Sequence, residues 1–199
     1  GYSFGELPMG FFMHSNISNI VWFNTTQKGS AVDIADLARV EIDIRQAMLR
    51  TMEYFKKNVP GFENAVVIDT APQVGTRSSR MLDGEYVITR RELLEGATYE
   101  DTVVVAQPPY RKFDPAHNLK EIPYRCFLPK RVKGLLVAGR CISGDFGAIE
   151  MLRVIPTVML MGQACGVAAA MAVKDGIDVK QVDVAKLREN LRAQNVLLP

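Results

Sequence analysis

The chain has 199 residues, 48% of them hydrophobic and 23% charged, and 24 basic against 22 acidic side chains leave a net charge of +2. That length supports one large domain or two small ones around a real core. With no basic block beyond Lys130–Lys133, nucleic acid and anionic membrane surfaces are disfavoured as partners. Cys126, Cys141 and Cys165 are widely spaced, and neither His14 nor His117 has metal-ligand spacing with an acid or thiol. No disulfide framework, zinc site or iron–sulfur site is expected, and reduced thiols in a cytoplasmic setting are.

In chain order, the alternation in "SNISNIVWFNTT" around Trp22 predicts a strand lining a cleft or a sheet edge. Asp33 reads as a helix N-cap, with a stripe of Leu37, Val40, Ile44, Met48 and Phe55 behind it and a stop at Asn58–Gly61. "AVVIDTAP", Ala65–Pro72, predicts a strand that enters a loop carrying Arg77 and Arg80. Asp83–Gly84 then suggests a hairpin turn, and Thr89 with Glu92 a capping box for a short helix ending at Gly96. Thr102–Ala106 reads as a buried strand. From 108 to 129 five prolines mark an irregular excursion, of the kind that covers a site or crosses between domains.

Leu135–Ala138 is a short apolar run, read as a buried strand, that ends in Gly139 and Arg140. A long apolar stretch, Val154–Val173, follows; its length approaches a membrane span, but Pro156, Gly162, Gln163 and Gly166 favour a buried soluble helix. Pro156 suits the first turn of that helix and Gly176 its end, while Gly162, Gly166 and Ala169 form a smooth stripe. Asp183 begins a last helix with Leu187 and Leu191 inward. A strand, a glycine turn and a helix start together form an anion cradle, in which unpaired N–H groups and the positive helix end face the ligand. Arg140 and Arg153 flank it. They either add charge-assisted bonds to an anion or pair with carboxylates such as Asp145 or Glu150.

"IPYRCFLPKRVKGLLVAGRCIS", "LRVIPTVMLMGQACGVAAAMAV" and "PGFENAVVIDTAPQVGTRSSRMLDGEYVIT" all occur in this sequence, and together they resemble FAD-dependent oxidoreductases. The family is a large bacterial one within the glutathione-reductase-type flavoprotein group, and the resemblance covers Arg39–Val196. It implies that Gly139 and Arg140 end the last strand of the FAD-binding domain, with Ser143 in the loop beyond. It places Arg153, Pro156 and Thr157 at the helix start, and Gly162 and Gln163 on the helix, the first for close packing. The helix end beside the flavin would then stabilise the anionic reduced ring. The family's opening G-x-G-x-x-G element, which cradles the diphosphate, does not occur in this sequence. The resemblance therefore leads us to expect the C-terminal part of a longer enzyme, or one subunit of a split one. The complete FAD site then requires the missing N-terminal segment or a partner subunit.

The expected fold class is α/β with α+β: a C-terminal remnant of an FAD/NAD(P)-binding domain with part of a substrate domain. Residues 1–91 are assigned to the substrate part and 92–199, with the proline-rich excursion at 108–129, to the FAD-binding part. Arg77 is a candidate for gripping an anionic substrate, jointly with Arg80, or else a surface or salt-bridging arginine. Tyr124 and Arg125 are candidates for covering the ring as donor or acid, with a satisfied core tyrosine as the alternative for Tyr124. A Cys141 nucleophile has no histidine near it in sequence. The expected partners are FAD and a small-molecule substrate, with no nucleic acid and no membrane, in a homo-oligomer or a monomer. The other reading is a non-catalytic binding or assembly module that keeps the fold without the cofactor.

Overall fold

The computed structural model describes residues 11–17, 19–25, 27–106 and 119–199. Its packing divides into two compact units, Gly1–Thr76 and Arg77–Pro199. Residues 77–91 thus pack with the second unit, whereas the sequence assigned them to the first part.

In the first unit, β1 (Phe11–His14) and β2 (Val21–Asn24) pair antiparallel, with Met13 opposite Trp22. Helix α1 (Ile34–Asn58) begins as expected: the Asp33 carboxylate accepts the N–H groups of Ala35 and Asp36, satisfying two of the donors a helix start leaves open. Lys56 and Lys57 suit the negative end of the helix dipole. The deeply buried face consists of Val40, Ala47, Thr51 and Phe55, so only two members of the expected stripe reach full burial. Phe55 anchors this unit through edge contacts with Phe23 at 5.1 Å and Phe62 at 5.6 Å between ring centres.

The strand expected at Ala65–Pro72 is absent. That stretch is irregular, with Val66 and Ile68 exposed. A strand exists only where a neighbour offers an edge, and β1 and β2 are paired with each other. Residues 71–74 are tied to α1 instead: Glu41 accepts the N–H of Val74, and Arg45 donates to the carbonyls of Ala71 and Pro72.

The second unit contains the main core. β3 (Thr102–Ala106) pairs antiparallel with β4 (Lys120–Pro123), with an irregularity between Thr102 and Val104. Part of the expected proline-rich excursion is therefore a regular strand, followed by a single 3-10 turn, Tyr124–Phe127; other parts of it, including His117, lie outside the described residues. Helices α2 (Arg90–Glu95), α3 (Phe146–Leu152), α4 (Ile155–Asp175) and α5 (Val184–Ala193) complete the unit. The capping box at Thr89 and Glu92 is formed, and Gly96 ends α2 in the left-handed region at φ 74°. Val103, Val104, Ile122, Phe127, Ile142, Met161, Leu187 and Leu191 fill the interior. Burying each such side chain contributes about 1.5–3 kcal/mol.

Two further expectations fail here. No hairpin turn forms at Asp83–Gly84: Gly84 bridges to Pro129 and Ile88 to Gly144, so residues 82–90 run between two other segments. Leu135–Ala138 is not a buried strand, since Leu135 is exposed and the next three residues are half-buried. Its backbone bond among the described residues joins the N–H of Val137 to the carbonyl of Phe127. The apolar run specifies burial, but burial needs a neighbouring strand on each edge, and the described residues supply none. The described fold is thus mixed α and β with two small antiparallel pairs rather than a parallel sheet.

Helix α4 is partly a departure from the buried helix expected. It is long and apolar enough to cross a membrane, and only 28% of its most apolar window is buried. Thr157, Met161, Ala164, Cys165, Ala168 and Ala172 face the core. Ile155, Met159, Gly162, Gly166 and Val173, spaced by three, four and seven, are all exposed on the other side.

Candidate functional site

The site is built from the loop after the extended run and the start of α4. Gly139 has φ 94°, a conformation that L side chains rarely adopt, and nothing lies within 4 Å of where a Cβ would be. Arg140 follows in an exposed turn. Beyond it the loop turns inward and is stitched to residues 82–90. Leu82 N–H donates to the carbonyl of Cys141 at 2.9 Å, Ile88 N–H to that of Ser143 at 3.3 Å, and Asp145 N–H to that of Ile88 at 2.9 Å. Ser143 is fully buried, and its hydroxyl accepts the N–H of Gly84 at 3.2 Å. Ser143 was expected to meet the cofactor; its side chain is instead spent inside the protein. Gly84 is required there, since a Cβ would stand 2.5 Å from that of Ser143.

Asp145 caps α3, its carboxylate accepting the N–H of Ala148 at 2.7 Å. It forms no ion pair with Arg140 or Arg153 among the contacts described for it; its other partner is the backbone N–H of Arg90. The seven residues of α3 carry the chain about 10 Å to Arg153 at its end. The Nε of Arg153 is buried with no hydrogen-bond partner among the described residues. Immediately after it α4 starts without any side-chain cap, its N-cap being Val154, with Pro156 in the first turn. An uncapped helix start offers N–H donors and partial positive charge to an anion. Thr157 is buried just inside the helix, and Pro156 is exposed at its mouth.

The remaining expected residues divide unevenly. Gly162 was expected to allow close packing, but no atom lies within 4 Å of its Cβ position, so it opens onto space. Gln163 donates to Gln194 at 3.0 Å, linking α4 to the end of α5 rather than facing a ligand opening. Arg77 and Arg80 lie exposed on an irregular stretch. Tyr124 is a core residue whose hydroxyl donates to the carbonyl of Val179 at 2.9 Å, and burial pushes its pKa up. Arg125 pairs with Asp101 at 2.9 Å and lies over the Tyr86 ring at 4.7 Å; the Asp101 bond holds its charge more firmly. Tyr124 and Arg125 line one cleft, and no hydrogen bond or ion pair joins either to Arg77 among the described residues. Cys141 is half-buried, with Sγ 3.8 Å from the carbonyl of Ala138.

An open cleft of about 510 Å³ lies beside Tyr99, Asp101, Tyr124, Arg125, Lys180 and Val182. Its cations are engaged, Arg125 with Asp101 and Lys180 with Glu85. At the start of α4, by contrast, the Arg153 Nε has no acceptor among the described residues.

The family model for FAD dependent oxidoreductase matches residues 5–191. The chain belongs to the FAD-dependent oxidoreductase family. No curated protein and no solved structure matches it. Membership of this oxidoreductase family implies FAD binding and an enzymatic role for the full protein. Among the described residues the local geometry fits that group: a glycine turn with no side chain in the way, a buried guanidinium nitrogen lacking an acceptor, and an uncapped helix start. Sequence reading missed the part played by Asp145 and residues 82–90. The signal for the first was available, since Asp145 precedes the helical spacing of Ala148, Ile149 and Leu152 as an N-cap residue does. No local signal marks the second, because its backbone bonds to these segments join residues more than forty positions apart.

Proposed function

We propose that this chain forms one wall of the flavin site in a glutathione-reductase-type FAD-dependent oxidoreductase. The further polypeptide that completes the site would be an N-terminal segment or a partner subunit. The observation that carries this reading is the conjunction at residues 153–157: an Arg153 Nε buried with no hydrogen-bond partner among the described residues, directly before an uncapped 21-residue helix. In this reading Gly139 lets the backbone approach the cofactor, Arg140 and Arg153 supply charge beside it, and the start of α4 favours negative charge on whatever it faces. When bound, FAD supplies hydride transfer to or from its N5 atom. The chain's own residues bind, orient and bias that group. The open stripe of α4, Ile155 to Val173, is the apolar surface that the rest of the enzyme would cover.

The first unit, together with Arg77 and Arg80, would contribute to a substrate domain for a small molecule in a bacterial, cytoplasmic enzyme. A second reading, a cofactor-free binding module, is favoured by one observation: Tyr124 and Arg125 are committed to structural contacts, which leaves no assembled acid or base among the expected catalytic residues. Titration of the complete enzyme, with the polypeptide that finishes the site present, against FAD and followed by flavin fluorescence, separates the two. The flavoenzyme reading expects saturable binding that Arg153→Ala weakens about tenfold, the size of one charge-assisted hydrogen bond. The module reading expects no saturable binding in either protein.

A further inference from the structure

A single carboxylate joins the starts of two helices. Asp145 accepts the N–H of Ala148 on its own helix at 2.7 Å, and both its oxygens lie 3.1 Å from the N–H of Arg90, the first residue of α2. Two positive helix ends therefore converge on one negative charge, each end favouring it. The aliphatic stem of Arg90 passes over the first turn of α3, where a Cβ on Gly147 would meet it at 2.7 Å. The neighbouring backbone bonds at Ser143 and Asp145 belong to the same seam. The capping box of Thr89 and Glu92 closes the start of α2 at this same point.

We propose that Asp145 is a positioning residue for the flavin site, fixing the loop Gly139–Ser143 through its bond to the Arg90 amide. This rests on the flavin reading and deepens it. The carboxylate itself touches no cofactor: it sets where the Gly139 turn and Arg140 stand by tying the far end of their loop to α2. A cap that served α3 alone would need one oxygen; here the same group serves both helices.

The test separates an amide from its side chain. Arg90→Pro removes only the donor N–H and the stem, at a first-turn position that proline tolerates and after Thr89, whose extended backbone at ψ 152° suits a following proline. Arg90→Ala removes the stem and keeps the N–H. Both are compared with the unaltered protein, within the complete enzyme, by FAD titration, by the fine structure of the bound flavin's absorption bands, and by hydrogen exchange at residues 142–145 without FAD. The expected result is that Arg90→Ala binds FAD as the unaltered chain does. Arg90→Pro should bind about tenfold more weakly, blur the flavin bands and exchange faster at 142–145. Asp145→Asn, which keeps an acceptor for Ala148, should fall between them. If Arg90→Pro matches Arg90→Ala in both affinity and exchange, the positioning role is overturned while the flavin reading stands. If the complete enzyme takes up no FAD, the flavin reading falls, and the role assigned to Asp145 falls with it.

Discussion

The two faces of α4 carry similar side chains and meet opposite fates. Met161 and Cys165 are buried against the rest of the unit, whereas Met159, Gly162 and Val173 are exposed along the same helix. Composition therefore does not explain the burial of this helix; neighbours do. The buried face is satisfied by the polypeptide described, and the open face is apolar surface that the proposed flavoenzyme would cover. The same contrast recurs on either side of Gly139. The run before it, Leu135–Ala138, has a single described backbone tie, and the loop after it is stitched to residues 82–90 at every second step. The site thus has a rigid side built by this chain and an open side.

The largest effect should come from the buried face. Met161→Ala is expected to cost about 2–5 kcal/mol of stability, measured by denaturant unfolding, because Met161 is wholly enclosed. Met159→Ala on the open face should stay within about 0.5 kcal/mol. Equal losses on both faces would erase the distinction between them.

A second, smaller effect concerns pH. Burial pushes the thiols of Cys126 and Cys165 from 9.0 to about 12. These groups stay protonated when folded but ionise in the unfolded chain above about 9. Stability should therefore be independent of them below pH 9 and fall as pH rises from 9 towards 12. Thermal melting of Cys165→Ala against the unaltered chain over that window should show a shallower decline in the variant. The smallest effect is a gain: Gly162→Ala should stabilise the chain by about 0.5–1 kcal/mol through helix propensity alone, since its Cβ meets nothing. In the complete enzyme, where the face is proposed to be covered, the gain should vanish or reverse.

The helices were largely legible because their signals are local. Asp33, the Thr89–Glu92 box, Gly96, Pro156 and Gly176 each act within a turn or two of themselves, and each stands where the sequence put it. Strands were less so. Thr102–Ala106 found a partner in β4, but Leu135–Ala138 and Ala65–Pro72 have apolar runs of their own and no paired edge. Pairing depends on distant residues, which local pattern does not encode. The site followed the same rule. Gly139 and Pro156 stand at the turn and the helix start expected of them, while Ser143, Gln163, Tyr124 and Arg125 are engaged by partners between 24 and 59 positions away.

Hydrogen exchange of the complete enzyme with and without FAD, resolved to short peptides, probes the proposed flavin wall at its own residues. New protection is expected at residues 139–143 and 153–159, with little change around the cleft beside Tyr99 and Arg125. Protection centred on that cleft, or none at the start of α4, would contradict the flavin wall.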